Sequence, residues 1–288
     1  MIQLRFGFIL LFSSYMSASV QAEVRRYVVE IQIAAPERKG EYVPTLLKMI
    51  LTASKAPDEV IEIALSDHMY SQARWIAEVR KQDNNNVLWT VTTKEREQLL
   101  RPIRVPIYKG LLGKRLLVIR KQDEEKFAKI KNKNDLAMFV AGQGTHWPDN
   151  DILATNGLVV MLGIEPESLY KMLQANRFDY FPRGVVELFS EAKFINGTDL
   201  VIDKNIFLSY KNPLYFFVNN KNTELAERLE KGWEIILKNG EFDTFFFNDP
   251  HVKSALEELK KYNRRIIHLD NPALPDETPV DPKYWIEP

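Results

Sequence analysis

Short apolar runs of strand length alternate with amphipathic runs of helix length along most of this chain. The strand-like runs lie at Tyr27–Ala34, Val60–Leu65, Val87–Val91, Arg115–Ile119, Asp135–Val140, Phe178–Phe181, Asn205–Tyr210 and Leu214–Val218. The helix-like runs begin at Pro44 and Val185 or span Ser71–Lys81, Glu167–Ala175 and Glu224–Lys238. Because strands and helices that alternate in sequence pack as layers, this order predicts an α/β protein with largely parallel sheets.

The longest helical run carries its own start and stop signals. Thr223 is the predicted N-cap and Gly240 the residue just past the C-terminus. The predicted buried stripe consists of Leu225, Leu229, Trp233 and Ile236. We expect the aromatic run Phe242–Asn248, which follows this helix, to pack on the same unit rather than to bind a ligand. Beyond Asn271 five prolines predict an extended surface tail.

Residues 1–22 have the layout of a secretory signal peptide. Arg5 precedes the apolar run Phe6–Phe12, and Val20 and Ala22 supply small residues at the −3 and −1 positions of a cleavage site. The apolar run is too short to span a bilayer. The sequence therefore predicts export to the periplasm with cleavage after Ala22; a buried first helix is the alternative.

The residue counts exclude several kinds of chemistry. The 288 residues include no cysteine, four histidines, and 39 basic against 39 acidic side chains. Without cysteine the chain has no disulfide, thiolate metal site, cysteine nucleophile or lipidated N-terminal cysteine. The histidines lack metal-ligand spacing, and a net charge of zero is atypical of a dedicated nucleic-acid binder. We expect no metal, no cofactor and no nucleic-acid partner.

Six short segments identify a protein family by their order along the chain, although none of them does so alone. They are T-T-K-E-R-E at Thr92–Glu97, P-I-Y-K-G at Pro106–Gly110, G-Q-G-T at Gly142–Thr145, S-L-Y-K-M-L-Q-A-N-R-F-D at Ser168–Asp179, N-P-L-Y-F-F-V at Asn212–Val218, and the helix Glu224–Phe242. Together they resemble a divergent member of the bacterial extracellular solute-binding proteins of family 3, the amino-acid-type periplasmic binding proteins. The resemblance covers about residues 83–247, and residues 27–82 match only in pattern.

This resemblance implies the two-lobed type II periplasmic binding protein fold, an α/β architecture of two mixed sheets flanked by helices and joined by two crossover strands. Lobe 1 would combine residues 23–110 with 214–288, including the proline-rich tail, and lobe 2 would span 111–213. A small solute would lie in the cleft between the lobes and would be captured by hinge closure.

In lobe 1 the resemblance places Arg96 where amino-acid binders have the arginine that takes the ligand carboxylate. A guanidinium suits a carboxylate because it donates two parallel hydrogen bonds. Relatives often carry a hydroxyl residue five positions earlier, where this chain has Val91, so a neighbouring threonine is expected to substitute. The further lobe 1 candidates are Trp89, Thr90, Thr92 and Thr93. Ordinary core packing is the alternative for Trp89.

In lobe 2 the candidate residues lie in the loop that follows the G-Q-G-T segment. Gly144 and Thr145 could donate a backbone N–H and a hydroxyl to an anion, and His146 and Trp147 could cover the ligand. Ordinary loop packing is the alternative for these last two residues.

The segment N-R-F-D-Y-F-P-R-G supplies the remaining candidates. Asp179 matches an acidic residue that is often structural in relatives. Five residues later, where transporter-type relatives have the aspartate that pairs with the ligand ammonium, this chain has Gly184, beside Arg183. If Arg183 and Arg96 face the same cleft, they favour a ligand with more than one anionic group or one that lacks an amine. The alternative for Arg183 is a surface pair with Glu187.

The expected function is the binding of a small polar, carboxylate-bearing solute without catalysis. We expect the protein to be a monomer whose partner is the membrane permease of an ABC importer or a membrane sensor. Two alternatives stay open: a regulatory or receptor protein of the same fold, and a periplasmic enzyme of the dehydratase kind. The enzyme would need an acid–base pair, for which His146, Asp179 and Glu187 are the candidates.

Overall fold

The computed structural model describes residues 25–31, 42–66, 70–81 and 85–287. The strands are β1 Arg25–Ile31, β2 Glu59–Leu65, β3 Asn86–Val91, β4 Arg101–Ile103, β5 Lys114–Arg120, β6 Val140–Gly144, β7 Val159–Gly163, β8 Tyr180–Gly184, β9 Leu200–Ser209, β10 Leu214–Val218 and β11 Arg265–His268. The α-helices are α1 Tyr42–Ser54, α2 Gln72–Lys81, α3 Lys94–Leu99, α4 Glu124–Ala128, α5 Lys133–Leu136, α6 Asp149–Thr155, α7 Pro166–Gln174, α8 Val185–Glu191, α9 Thr223–Lys238, α10 Glu241–Asn248 and α11 Pro250–Lys260. The predicted signal peptide and His68 lie outside the described residues.

The first sheet has the strand order β2-β1-β3-β10-β4. β1 lies parallel to β2 and β3, whereas β10 is antiparallel to both of its neighbours. The helices α1 and α9 approach each other closely: a Cβ atom at Gly232 would lie 2.1 Å from the Ile50 carbonyl oxygen. Glycine is therefore required at this crossing, which positions α9 on the first lobe.

The second sheet has the order β11-β9-β5-β8-β6-β7. β5 is antiparallel to β8 and β9, whereas β6 is parallel to β7 and β8, and β11 is parallel to β9. These pairings confirm the two mixed sheets that the resemblance implied. The expectation of largely parallel sheets holds for five of the nine strand pairs among the described residues. The four antiparallel pairs all involve β5 or β10, the strands that follow the two crossovers.

Two crossovers join the sheets and lie against each other. Residues 104–113 lead from β4 to β5, and residues 210–213 lead from β9 back to β10. Tyr210 N donates a hydrogen bond to Gly113 O at 3.1 Å. Thr92 N donates to Pro213 O at 3.0 Å, which ties the second crossover to the end of β3. The candidate residues of β3 and α3 therefore lie beside the hinge.

The C-terminal part of the chain crosses between the lobes again. α10 packs on α9 as expected for the aromatic run, but α11 packs on α8 of the second lobe and β11 pairs with β9. The tail then returns, since Lys94 N donates to Ala273 O at 3.0 Å and Ile286 N donates to Lys109 O at 2.8 Å. β11 departs from the predicted division, which placed residues 214–288 in lobe 1, because Ile267 belongs to the apolar core of the second sheet.

Helix capping explains three local features of the structure, of which the last two differ from the sequence expectation. The polar T-T-K-E-R-E segment forms α3, because the Thr93 hydroxyl accepts a hydrogen bond from Arg96 N at 3.1 Å. The Asn132 side chain caps α5, so the strand expected at Asp135–Val140 begins only at Val140. The N-cap of α9 is Asn222 rather than Thr223. None of the helices within the described ranges is long and apolar enough to cross a membrane.

Candidate functional site

Arg96 lies in the first lobe, in a cradle of neutral acceptors. Its Nη1 atom donates to the Thr90 hydroxyl at 2.7 Å and to the Val91 carbonyl at 2.8 Å. Its Nη2 atom donates to the Gln72 side-chain oxygen at 3.0 Å. Because α3 fixes the backbone of Arg96 and three acceptors from β3 and α2 fix its guanidinium, the side chain is held in one orientation.

Arg96 forms no ion pair with a carboxylate of the described residues. Among the ion pairs of the described ranges, none within 4.0 Å involves Arg96, although most of its surface is removed from water. Burial lowers the pKa of Arg96 to about 10, and the carboxylates of Asp149 and Glu95 act in the opposite direction. A partly buried guanidinium that is fixed in this way and has no carboxylate within 4.0 Å among the described residues has the chemistry needed to bind an anion.

The other lobe 1 candidates have different positions. Thr90 is buried and contacts the Arg96 guanidinium directly, so it belongs to the cradle. Thr92 donates its hydroxyl to Glu97 at 2.6 Å, and Thr93 caps α3. Trp89 is half-buried and packs against the apolar core, in agreement with the alternative raised for it. Thr92, Thr93 and Trp89 thus support the cradle without offering a free polar atom to a ligand.

The loop after β6 does not provide the anion cradle expected from the sequence. Both the backbone N–H and the hydroxyl of Thr145 donate to the Gly163 carbonyl, at 2.9 and 3.0 Å. Gly144 is required for a different reason, because a Cβ atom there would lie 2.4 Å from the Trp147 ring. His146 is exposed. This loop therefore presents the Trp147 ring rather than hydrogen-bond donors.

Arg183 is not the ligand-facing cation that the sequence suggested. Its side chain is 1% exposed, and Nε and Nη2 donate to the two carboxylate oxygens of Glu191 at 2.8 and 2.6 Å. Nη2 also lies 3.0 Å from Glu187. The guanidinium carbon lies 4.7 Å from the centre of the Trp147 ring. Burial alone would lower the pKa of Arg183, but the two carboxylates raise it well above its ordinary value. The expected pair with Glu187 exists, yet it is buried rather than superficial.

A second buried arginine, which the sequence did not single out, extends this network. Arg115 Nη2 lies 2.6 Å from Asp149 Oδ1, and Nη1 lies 2.9 Å from Glu187 Oε2. The Tyr210 hydroxyl donates to the same Asp149 oxygen. Burial raises the pKa of Tyr210 well above its ordinary value, so the hydroxyl keeps its proton. The sequence signal was weak because Arg115 lies in an otherwise apolar strand and Asp149 in a polar loop.

Asp179 has the structural role common among relatives rather than a ligand-binding one. Its Oδ2 atom accepts a hydrogen bond from Val140 N at 2.8 Å, and Oδ1 lies 3.4 Å from Arg120 Nη2. The carboxylate therefore fastens the start of β6 to the end of β5.

Two buried amides have no hydrogen-bond partner among the described residues. Gln143 in β6 and Asn212 in the second crossover are both 0% exposed, and within the described part of the chain neither the oxygen nor the nitrogen of either side chain is bonded. Buried amides in native proteins are normally paired with protein, water or ligand. Both residues are thus buried polar positions, one in the second sheet and one in the second crossover, whose amide atoms expose less than 1 Å² each. Sequence reasoning missed them because an isolated amide has no characteristic spacing.

No protein-family model and no curated protein matches this chain. Among solved structures, an amino acid ABC transporter substrate-binding protein from Streptococcus pneumoniae bound to L-arginine is 19% identical, with a TM-score of 0.56 over 81% of this chain and 96% of that one. An ancestral arginine-binding protein bound to glutamine is 16% identical, with a TM-score of 0.55 over 77% and 96%. A histidine kinase sensor domain with similarity to periplasmic binding proteins is 16% identical, with a TM-score of 0.54 over 77% and 95%.

At these identities the similarities concern the fold. The chain has the two-lobed α/β fold of amino-acid-type periplasmic binding proteins, as the motif order implied.

Proposed function

We propose that this chain is an exported solute-binding protein that takes a small polar solute by its carboxylate group in the cleft between the lobes. Arg96 binds the carboxylate and Thr90 holds Arg96 in place. The observation that carries the proposal is the guanidinium of Arg96, which is partly buried and fixed by Thr90, Val91 and Gln72 without an ion-pair partner in the described ranges. A carboxylate that binds there replaces lost hydration with charge-assisted hydrogen bonds.

The second lobe restricts the rest of the ligand. The network of Arg115, Arg183, Asp149, Glu187 and Glu191 contains two cations and three carboxylates, an excess of one negative charge. This excess disfavours the second anionic group that two cleft arginines would have implied, because like charges repel. The solute we propose has one carboxylate and a neutral or cationic remainder beside the Trp147 ring, as an amino acid has.

The biological role that fits this site is delivery of the solute to a membrane partner. Solved structures of similar fold include substrate-binding proteins of ABC transporters and a sensor domain of a histidine kinase. We propose a periplasmic monomer that presents its loaded state to an importer or to a membrane sensor.

A regulatory protein of the same fold that binds no solute tightly is the second candidate. Two observations favour it. Arg115 and Arg183 of lobe 2 are already paired with carboxylates of the same lobe. Gly184 stands where transporter-type relatives have a ligand-binding aspartate. An enzyme is less well supported, because no hydrogen bond or ion pair joins His146 to a carboxylate within the described part of the chain.

A thermal-shift screen of the mature protein against amino acids and organic monocarboxylates tests the proposal. We expect at least one compound to raise the melting temperature, because a ligand at 100 times its dissociation constant stabilises the folded state by about 2.7 kcal/mol. Arg96→Ala should abolish this response. Arg177→Ala, the same change at an exposed arginine, should preserve it. If no compound stabilises the wild type, or if Arg96→Ala responds equally, the proposal is wrong, and the first result favours the regulatory protein.

A further inference from the structure

A third connection between the lobes lies beside the two crossovers. Leu269 belongs to the apolar core of the second sheet, and its N–H donates to Ser209 O at 3.0 Å. Four residues later Ala273 O accepts a hydrogen bond from Lys94 N at 3.0 Å, in the first lobe. The chain therefore passes from one lobe to the other within residues 269–273, a segment that we call the hinge latch.

One side chain fastens the lobe 2 end of the hinge latch. Asn156, at the C-terminus of α6, is 7% exposed. Its Nδ2 atom donates to Asp270 O at 2.8 Å, and its Oδ1 atom accepts from Asp270 N at 3.1 Å. The amide thus bonds both backbone groups of one residue, so Asp270 leaves the second lobe only when both hydrogen bonds break.

The middle of the hinge latch is short and stiff. Asn271 Nδ2 donates to Lys211 O of the second crossover at 2.9 Å, and Asn271 Oδ1 accepts from Ala273 N at 3.0 Å. Pro272 between them has a fixed φ angle. Even when fully extended, the three residues from Asp270 to Ala273 span at most about 11 Å. The hinge latch therefore has little length to give when the lobes move apart.

The lobe 1 end of the hinge latch is attached to the helix that carries Arg96. Lys94 is the first residue of α3, so its N–H is one of the groups that the helix itself leaves without an acceptor. The Ala273 carbonyl supplies that acceptor. Arg96 lies two residues further along, and its backbone N–H donates to the N-cap Thr93. The hinge latch therefore holds the turn of helix from which the Arg96 guanidinium projects.

We propose that the hinge latch limits how far the two lobes separate, and that it positions α3, with Arg96, relative to the second lobe. The crossovers can bend at their backbone dihedral angles, whereas the hinge latch is too short to follow a separation of Lys94 from Asn156. Wide opening of the cleft therefore requires the release of one end. The consequence for the solute rests on the function proposed above, but the restraint on the lobes does not, so the two proposals can fail separately.

Two substitutions at Lys94 separate its backbone hydrogen bond from its side chain. Lys94→Pro removes the N–H, and α3 tolerates proline there because Lys94 is its first residue and Thr93 before it is extended. Lys94→Ala is the matched control. It keeps the N–H but, like proline, lacks the ammonium group that lies 3.6 Å from Asp276. A difference in lobe separation between the two variants is thus due to the bond to Ala273.

The measured quantity is the distance between the lobes of the solute-free mature protein, obtained by double electron–electron resonance of two spin labels. Because the chain has no cysteine, Lys48→Cys in α1 and Ala175→Cys after α7 provide two unique and exposed labelling sites. We expect Lys94→Ala to keep the distance distribution of the labelled parent. In Lys94→Pro the distribution should broaden, with an open population about fivefold larger, the change that corresponds to one hydrogen bond.

Asn156→Ala tests the opposite end and guards against a folding defect at Lys94, each variant being checked first for a cooperative thermal melt. We expect the same broadening as in Lys94→Pro, and none beyond it in Lys94→Pro/Asn156→Ala, because two anchors in series fail when either is lost. A distribution equal to that of Lys94→Ala in either folded single variant overturns the proposal. Further broadening in the double variant also overturns it, because the two anchors would then act separately.

Discussion

Replacement of Arg183 by methionine separates a structural arginine from a ligand-binding one. Methionine fills a similar volume but carries no charge, so Glu191 and Glu187 would lose a partner that now lies 2.6 and 3.0 Å away. Both ends of the Arg183–Glu191 pair are less than one-tenth exposed. Removal of one partner from a buried pair leaves an uncompensated charge and typically costs about 3–5 kcal/mol. For a protein of this size that corresponds to a fall in melting temperature of roughly 6–20 °C.

Urea denaturation at neutral pH is the appropriate assay, because its midpoint and slope separate a loss of stability from a change in compactness. Arg177→Met at an exposed position is the matched control and should change stability by less than about 0.5 kcal/mol. The double variant Arg183→Met/Glu191→Gln should recover part of the loss, since glutamine removes the unpaired charge and still accepts from the Tyr170 hydroxyl. A loss below about 1 kcal/mol in Arg183→Met would refute the assignment of Arg183 to a buried structural network.

Three further predictions concern other parts of the molecule. Asp149→Asn should destabilise the protein by about 3 kcal/mol in the same urea assay, because it leaves Arg115 partly unpaired. Asp151→Asn, on the exposed side of the same turn, should be nearly neutral. Equal losses of stability in the two variants would contradict the role of Asp149. Hydrogen bonds from Arg228 lower the pKa of Glu59 to about 2. Wild type should therefore be more stable than Glu59→Gln above about pH 4.5, and this difference should shrink as the pH falls towards 2. Chemical denaturation over this pH range measures the free energy of unfolding of both proteins, and a difference that stays constant with pH would contradict the prediction. Deletion of residues 271–288 removes the hydrogen bonds that join the tail to Lys94 and Lys109 and thereby tie the lobes together. Small-angle scattering of the ligand-free protein should therefore show a larger radius of gyration. An unchanged radius would mean that the tail does not hold the lobes together.

The layered fold was predictable because periodicity reports which face of each element is buried. The long helix α9 was expected at Glu224–Lys238 and is observed at Thr223–Lys238. Its cap was assigned one residue too late, since threonine and asparagine are both common N-caps and the choice depends on backbone geometry.

The placement of β11 could not be predicted from local pattern. Its sequence, R-I-I-H, is typical of a short strand, but its neighbour in space, β9, lies more than fifty residues earlier in the chain. Which of two sheets accepts such a strand depends on the path of α10 and α11, and thus on tertiary packing.

The candidate site was predictable on one side of the cleft and not on the other. On the lobe 1 side, Arg96 and Thr90 lie in one short segment, so sequence spacing brings them together. On the lobe 2 side, the partners of Arg183 are Glu187 and Glu191 of α8, the helix that directly follows the strand of Arg183, and Arg115 joins them from a distant strand. Sequence alone does not show whether an arginine faces a ligand or carboxylates of its own lobe, because that depends on side-chain direction.

The most direct test of the central claim is isothermal titration of the carboxylic acid selected by the screen, compared with its carboxamide. We predict that wild type binds the acid at least about tenfold more tightly than the amide, and that Arg96→Gln loses this preference, since a hydrogen bond to a charged group contributes about 1.5–3 kcal/mol. Equal affinity of the wild type for acid and amide, or an unchanged preference in Arg96→Gln, would contradict the claim that Arg96 binds the carboxylate of the solute.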